Sequence, residues 1–330
     1  MTDITASQLA PAPSEHRHPE AIRAVPLRHP WRWVSAVVVL ALFAAVVYTF
    51  ATAPLLKWPV VGQYLFNDRV MSAVLVTLAL TVIAMLIGVS LGLLMAVMRQ
   101  SANPVMRSVS WFYIWFFRGT PVLVQIFFWF NIAFVLPFVK IGIPLTGLQW
   151  VGQVNNIDTP FIAAILGLGL NEAAYMAEII RAGLISVDAG QTEAAQALGM
   201  TRAQVMRRVV IPQAMRVIIP PTGNETISML KTSSLAFICA VGELFFIVTE
   251  ISNANYRIVE LLIVASVWYL LLTSVLTLGQ YYLERYFARG SVRNLPMTPL
   301  QRLRRLLPSH SQYQSTAEIL AEVRGSRHRR

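Results

Sequence analysis

The feature of this sequence that most restricts its fold is a series of long apolar runs separated by short polar segments. A helix that crosses the hydrocarbon core of a bilayer needs about 20 apolar residues. Six stretches of the 330-residue chain meet this requirement, at 33–50, 70–98, 121–139, 161–180, 214–251 and 258–283. Only 13% of the residues are charged, whereas a soluble domain carries roughly 25%. The sequence therefore predicts an all-α, polytopic membrane protein with about six transmembrane helices.

The first and fifth runs each carry a complication. The first ends in Ala51-Thr52-Ala53, which is similar to a signal-peptide cleavage site. However, its leading segment of about 32 residues and its apolar run are both long for a signal peptide, so we expect an uncleaved helix. The fifth run contains Pro220-Pro221 and Gly223, and we expect these residues to break it.

The distribution of lysine and arginine predicts the orientation of the chain. Twenty-two of the 27 basic residues lie in the amino tail, in loop 99–118, in the stretch 181–216 and in the carboxyl tail from 285 onward. Because cytoplasmic loops carry the excess of lysine and arginine, both tails and the stretch 181–216 are expected in the cytoplasm. This arrangement requires an even number of spans.

The same residues exclude several classes of function. The net charge of +11 lies between and beyond the apolar runs, as topology signals do, so it does not indicate nucleic-acid binding. The single cysteine, Cys239, excludes an intrachain disulfide. All five histidines lie in the tails, and a structural zinc site needs about four clustered ligands, so no metal site is expected.

A compact basic segment stands between the fourth and fifth runs and reads EAAQALGMTRAQVMRRVVIP. Thr192 is positioned to cap a first short helix that Gly199 ends. Thr201 is positioned to cap a second helix that stops at Pro212. From these residues alone the hairpin is either a solvated connection or a docking element.

The spacing within this segment resembles the signature of the permease subunits of bacterial ATP-binding-cassette importers. That signature reads Glu-Ala-Ala, three residues, Gly, nine residues, then Ile-x-Leu-Pro. The chain has Glu193-Ala194-Ala195, Gly199, and Val209 to Pro212 with every spacing kept. The segments FRGTPVLVQ, NEAAYMAEIIRAG, IPQAMRVIIPPTGNE and LKTSSLA resemble the polar amino-acid branch of this family, which includes histidine, glutamate, glutamine, arginine and opine importers.

The resemblance implies a type I (MetI-like) importer fold and a set of partners. The implied domains are a cytoplasmic tail (1–32), an extra amino-terminal helix (33–56), the permease domain (70–283, with a coupling insert at 186–212) and a basic cytoplasmic tail (284–330). In this family the insert docks in a groove of a cytoplasmic ATPase. The residues implied to make this coupling are Glu193, Ala194, Ala195, Leu198, Gly199 and Pro212.

The chain lacks the glycine-rich Walker loop, since Lys231-Thr232 has no such loop before it. The resemblance therefore implies no catalytic residue and no cofactor here, with ATP and magnesium bound by two separate ATPase subunits. The other implied partners are a second permease subunit, identical or homologous, a periplasmic or lipid-anchored amino-acid-binding protein, and membrane lipid. The implied location is the bacterial cytoplasmic membrane.

Polar residues inside the spans are candidates for the substrate path, because such residues are costly in lipid. The candidates are Asn171, Glu172, Tyr175, Glu178, Arg181, Asn224 and Glu225. Glu178 and Arg181 can bind the two charges of an amino acid, or they can form an i, i+3 pair. Asn224 and Glu225 can line the path, or they can satisfy backbone groups that the prolines leave free. Arg118 is interpreted as a topology anchor.

We therefore expect a permease subunit that imports a polar amino acid, driven by an ATPase. Two alternatives stay open from the residues: a secondary transporter driven by an ion gradient, and a membrane scaffold that transports nothing.

Overall fold

The structure, a computed structural model, describes residues 30–142, 149–153 and 160–287. The predictions for the two tails, including the five histidines, fall outside these residues. The chain divides into two units, Met1–Leu56 and Lys57–Arg330. The described part of the first unit consists of helix α1 (Pro30–Ala51), which is apolar around its circumference, and a five-residue turn segment, 52–56.

The second unit is built almost entirely from helices. The elements are α2 (Trp58–Leu65), α3 (Asp68–Arg99), α4 (Pro104–Gly119), α5 (Val122–Phe130), α6 (Ile132–Val135), α7 (Pro160–Ile185), α8 (Ala189–Ala197), α9 (Arg202–Val205), α10 (Ile211–Thr232), α11 (Leu244–Asn255) and α12 (Ile258–Phe287). Strands β1 (Phe138–Gly142) and β2 (Gln149–Gln153) form an antiparallel hairpin. A π-helical turn (Met206–Val210) precedes α10, and a 3₁₀ helix (Ser233–Cys239) follows it.

Four of the described helices, α1, α3, α7 and α12, are long and apolar enough to cross a membrane. A fifth span exists if the helix Arg202–Cys239 and α11, which meet at a bend of 49°, are counted together. The prediction of a helical membrane protein is confirmed. The predicted third span, 121–139, is not one helix, because it is divided among α5, α6 and the start of β1.

The predicted break at Pro220-Pro221 is wrong. Both prolines lie inside the continuous helix α10. A proline keeps helical φ and removes one hydrogen bond, and surrounding protein makes this tolerable at membrane depth. The actual break lies about twenty residues later, where Ala240 adopts a left-handed φ of 56° before α11 begins.

The packing of α3 against α7 forms the centre of the second unit. Gly88 and Gly92 let α3 approach closely: a Cβ on Gly88 would lie 2.5 Å from Cγ of Glu172, and a Cβ on Gly92 would lie 2.6 Å from Cβ of Met176. Small residues permit such close approach, and in lipid this packing replaces the hydrophobic effect as the source of helix association. The fold therefore depends on the absence of side chains at these two positions.

We predict that Gly92→Ala destabilises the protein and that Gly279→Ala does not. A Cβ on Gly92 overpacks the contact with α7, at a cost of roughly 1–3 kcal/mol. Gly279 lies in α12 and has no neighbouring atom within 4 Å of such a Cβ, so alanine there adds helix propensity without a clash. The thermal unfolding midpoint of each purified variant in detergent measures the difference. Equal midpoints would contradict the importance of this contact.

Candidate functional site

The basic segment between α7 and α10 forms a short helical hairpin, as predicted, but its first cap differs. Asp188 caps α8 by accepting a hydrogen bond from the Gly190 N–H at 2.7 Å, and Thr192 lies inside the helix. Gly199 makes the turn with a φ of +78°, which glycine adopts without strain. Thr201 caps α9 as predicted, in a reciprocal capping box with Gln204.

Pro212 does not end the second helix of the hairpin. Helix α9 passes through the π-helical turn into α10, and Pro212 occupies the first turn of α10. The wider turn lets the Ile211 N–H donate to the Met206 carbonyl. A proline is tolerated there because a first-turn N–H needs no helical acceptor. Helix α9, the π-helical turn and α10 therefore form one continuous helical element.

The predicted coupling residues divide into a buried and an exposed group. Ala195 is buried with Val205 and Val210 in a small core, against which the end of α7 packs. Glu193, Ala194 and Gly199 are exposed, and Leu198 is 84% exposed. Ala195 thus holds the hairpin together, while Leu198 presents an apolar side chain on the outside.

Asn171, a candidate for the substrate path, is used to satisfy a helix end. Thr120 and Pro121 are extended, so α4 stops and its last carbonyls lose their helical partners. Asn171 Nδ2 and Gln125 Nε2 both donate to the Phe117 carbonyl at 2.9 Å. The structure therefore gives Asn171 a structural task that the sequence did not reveal, and it shows Gln125 as a partner that the sequence analysis missed.

Arg118, at the end of α4, lies over the ring of Tyr175 of α7. Helix α4 starts beside the end of α3 and runs along α7, where the Tyr113 hydroxyl donates to the Leu170 carbonyl at 2.7 Å. The Arg118 guanidinium consequently lies 5.1 Å from the centre of the Tyr175 ring, level with the middle of α7. A cation at this distance is attracted by the face of the ring. The interpretation of Arg118 as a loop residue is therefore wrong.

Two carboxylates from different helices complete a charged cluster around this arginine. Glu225 of α10 is half-buried and interacts electrostatically with both Arg118 and Glu172 of α7. Glu172 is only 4% exposed, and its Oε1 atom has no hydrogen-bond partner. We call Arg118, Glu172, Tyr175 and Glu225 the charged cluster. It contains two acidic groups and one basic group, and its members come from three helices.

The other path candidates have partners of their own. Glu178 and Arg181 form the i, i+3 ion pair, with Oε2 of Glu178 2.7 Å from the guanidinium. Asn224 Oδ1 accepts from Gln280 Nε2 of α12 at 2.9 Å. The structure therefore brings Glu172, Tyr175 and Glu225 together with Arg118. The other four candidates, Asn171, Glu178, Arg181 and Asn224, have hydrogen-bond or ion-pair partners outside this group.

Glu243, at the true break in the fifth span, escaped the sequence analysis. It is fully buried, and its two oxygens accept from the N–H groups of Phe245 and Phe246 at the start of α11. The Tyr269 hydroxyl donates to it at 3.2 Å, and the Leu244 N–H donates to the Thr77 hydroxyl. A capping glutamate just before an apolar helix was the available sequence signal. Because these contacts occupy both carboxylate oxygens, Glu243 fixes the bend and is not part of the charged cluster.

Among residues 30–142, 149–153 and 160–287, no group of three or more potential ligands could hold a metal ion. The site is thus a group of charged side chains from α4, α7 and α10, and α7 and α10 connect it to the helical hairpin.

Comparisons with known proteins agree with this arrangement. Residues 88–289 match the family described as the binding-protein-dependent transport system inner membrane component. The chain is 46% identical to the arginine transport system permease protein ArgU of Corynebacterium glutamicum, over 86% of this chain and 89% of that protein.

Solved structures give the same result for the fold. The chain is similar to an amino acid ABC transporter crystallised with histidines, at 36% identity and a TM-score of 0.57, over 66% of this chain and 94% of that one. It also shares the fold of the inward-facing methionine ABC transporter MetNI, at 20% identity and a TM-score of 0.54, over 71% of this chain and all of that one. The expected MetI-like fold is confirmed, and the alternative of an ion-gradient-driven transporter gains no support.

The matched region contains the charged cluster, the hairpin and the spans that connect them. This chain therefore belongs to the family of binding-protein-dependent transport system inner membrane components, as the multi-pass permease subunit of an ATP-binding-cassette importer and not as an enzyme.

Proposed function

We propose that this permease imports a polar amino acid that is cationic at neutral pH, with arginine as the first cargo to test. The observation that carries this proposal is the charged cluster. Its two carboxylates and one guanidinium have a formal net charge of −1, and a cationic amino acid has a charge of +1. Arg118 is the donor for the α-carboxylate of the cargo, and Glu225 is the acceptor for its positive groups. The similarity to an arginine permease supports the same choice.

Burial makes the cluster selective. A charged group in a low-dielectric site is costly unless a charge of opposite sign compensates it. Glu172 belongs to the same cluster, and one of its carboxylate oxygens has no hydrogen-bond partner. With both carboxylates ionised, the empty site has an excess of negative charge. A cationic cargo compensates this excess, whereas an acidic amino acid would add to it.

The working complex that we propose contains two permease subunits, identical or homologous, two ATPase subunits that bind ATP and magnesium, and an external binding protein, periplasmic or lipid-anchored. Within the complex the hairpin is the ATPase contact, with Glu193, Ala194, Leu198 and Gly199 on its exposed side and Pro212 at its junction with α10. A helix with one exposed apolar side chain among small residues suits docking in a groove.

Continuity of the backbone supports coupling between this contact and the charged cluster. The helical element that begins at Arg202 continues through α10 to Glu225, about 35 Å at 1.5 Å per residue. Helix α7, which carries Glu172 and Tyr175, ends at the other side of the same hairpin. Closure of the ATPase pair on the hairpin would therefore shift α7 and α10 together with the charges they carry.

The proposed orientation places both tails and the hairpin in the cytoplasm. The excess of arginine on that side supports it, and so does an even number of crossings when α4 and α5 are counted as one kinked span. Arg118 no longer contributes to this argument, since it lies at membrane depth.

We predict that Glu225→Gln raises the apparent KM for arginine uptake by at least about tenfold, because it removes an ionic acceptor worth roughly 1.5–3 kcal/mol. The measurement uses the intact complex, purified from the native membrane and reconstituted with ATP inside vesicles. The control is Glu178→Gln, which breaks the ion pair with Arg181 and is expected to change KM by less than about threefold. If the two variants have equal effects, or if only the Glu178 variant impairs uptake, the charged cluster is not the cargo site.

We predict that Leu198→Asp releases the ATPase subunits from the complex. The substitution places a carboxylate where an apolar contact is expected, and the loss of one buried leucine contact costs roughly 2–5 kcal/mol. Co-purification in mild detergent followed by mass spectrometry measures the ATPase that stays bound. Leu136→Asp is the matched control, because Leu136 is half exposed and lies beyond α6, away from the hairpin. Retention of the ATPase by both variants would exclude the hairpin as its docking site.

A further inference from the structure

An apolar groove with a volume of about 810 Å³ lies between α3, α7 and α10. None of the four charged-cluster residues lines it, although Met176 and Thr222 of its lining lie one helical turn from Glu172 and Glu225. Its walls are aliphatic and methionine side chains, except for Gln100 and Ser101 at one end and Thr222 on α10. The wall residues from α3 and α7 are Val89, Leu93, Val97, Met176, Ile180 and Leu184. The size suits a small organic molecule, and the walls offer it almost no polar partner.

The groove opens sideways from the unit. Leu93 and Val97 are 50% and 57% exposed, and on the opposite wall Met206 and Ile211 are 45% and 44% exposed. Ala214 and Ile180, at the floor, are buried. A molecule in the groove would therefore enter from the side of the spans and would not have to cross the core.

The length of the groove corresponds to one leaflet of a bilayer. The wall on α3 extends from Val89 to the end of that helix at Arg99, which is about 15 Å at 1.5 Å per residue. The hydrocarbon core of a bilayer is about 30 Å thick. The groove is therefore about as long as half the thickness of the hydrocarbon core, which is the depth that the acyl chains of one leaflet occupy.

The surface end of the groove is basic. Arg99 directly precedes Gln100, and Arg207 and Arg208 directly follow Met206 on the facing wall. Within the described part of the chain these three arginines form no ion pair. Basic groups beside an opening between transmembrane helices attract anionic lipid headgroups. The charge of this end is thus complementary to a phosphate group.

A second copy of the chain fits the groove less well. A two-fold interface brings the same patch of both subunits together. If the groove lay on the two-fold axis, it would face its own copy, so neither concave surface would be filled and the three arginines of each copy would approach those of the other. A lipid satisfies both the shape and the charge of the groove.

We propose that this groove binds a phospholipid with an anionic headgroup, with an acyl chain along Leu93 and Ile180 and the phosphate beside Arg99 and Arg207. Only the choice of leaflet depends on the orientation proposed above. With that orientation, the lipid belongs to the cytoplasmic leaflet. The site lies on α3, α7 and α10, so an occupied groove restrains the same helices that connect the hairpin to the charged cluster.

The test measures lipid that stays bound to the purified full complex. The complex is equilibrated in detergent with equal amounts of phosphatidylglycerol and phosphatidylethanolamine, and retained lipid is quantified by native mass spectrometry. Val97→Trp places an indole in the groove and is expected to abolish selective retention of phosphatidylglycerol. Leu94→Trp is the matched control, because Leu94 is 51% exposed on the same helix and does not line the groove. Equal retention by the two variants would overturn the proposal.

A second pair of variants tests the headgroup contact without changing the apolar walls. Arg99→Gln and Arg207→Gln are each expected to lower the preference for phosphatidylglycerol over phosphatidylethanolamine roughly fivefold. Arg107→Gln, on exposed α4, is expected to leave the preference unchanged. An unchanged preference in the first two variants would show that the groove binds no anionic headgroup.

Loss of permease pairing in Val97→Trp with unchanged lipid retention would identify a second copy as the occupant and would also overturn the proposal. Arginine uptake by these variants is scored separately, so failure of this inference is distinct from failure of the proposed function.

Discussion

A lipid environment supplies no hydrogen-bond partners, so protein must satisfy every break in a helix at membrane depth. Two such breaks shape this permease. At the first, Asn171 and Gln125 donate to the Phe117 carbonyl that the end of α4 leaves free. At the second, Glu243 and Thr77 accept from the first N–H groups of α11. These contacts fix the direction of both helices that follow, and they account for much of the polar chemistry inside the unit.

The residues of the charged cluster do not satisfy the backbone groups of either break. Four polar residues serve the breaks and Glu178 is paired with Arg181, whereas Glu172 keeps an unpartnered oxygen beside Glu225 and Arg118. The break after α4 also creates the cluster, because it positions Arg118 against Tyr175 at the middle of α7. The kink in the span and the charged cluster therefore lie at the same local interruption.

Helices α7 and α10 connect the charged cluster to the hairpin. Its small core around Ala195 joins the end of α7 to the start of α9, and the π-helical turn joins α9 to α10 without a flexible linker. A π-helical turn inside a longer helix often marks a functional position. Here it lets a proline occupy the first turn of α10, which carries the cluster residue Glu225 about 21 Å from its start. The glycines of α3 allow α7 to pack closely beside it, so α3 supports the moving pair.

The sequence by itself determined the number and rough position of the apolar segments, the side that is basic, the capping of α9 and the family signature. These are local properties: runs of about 20 apolar residues, charge between them, and fixed spacings around Gly199. Tertiary structure alone decided where the fifth span bends, how deep Arg118 lies and which polar residues are free. Pro220 and Pro221 stay helical while Ala240 does not, since a break occurs where other helices supply partners for the freed groups. The same reason explains why Glu243 and Asn171 have structural roles and Glu172 does not. Hydrogen-bond partners come from residues that are far apart in the chain, so no periodicity or spacing in the sequence predicts them.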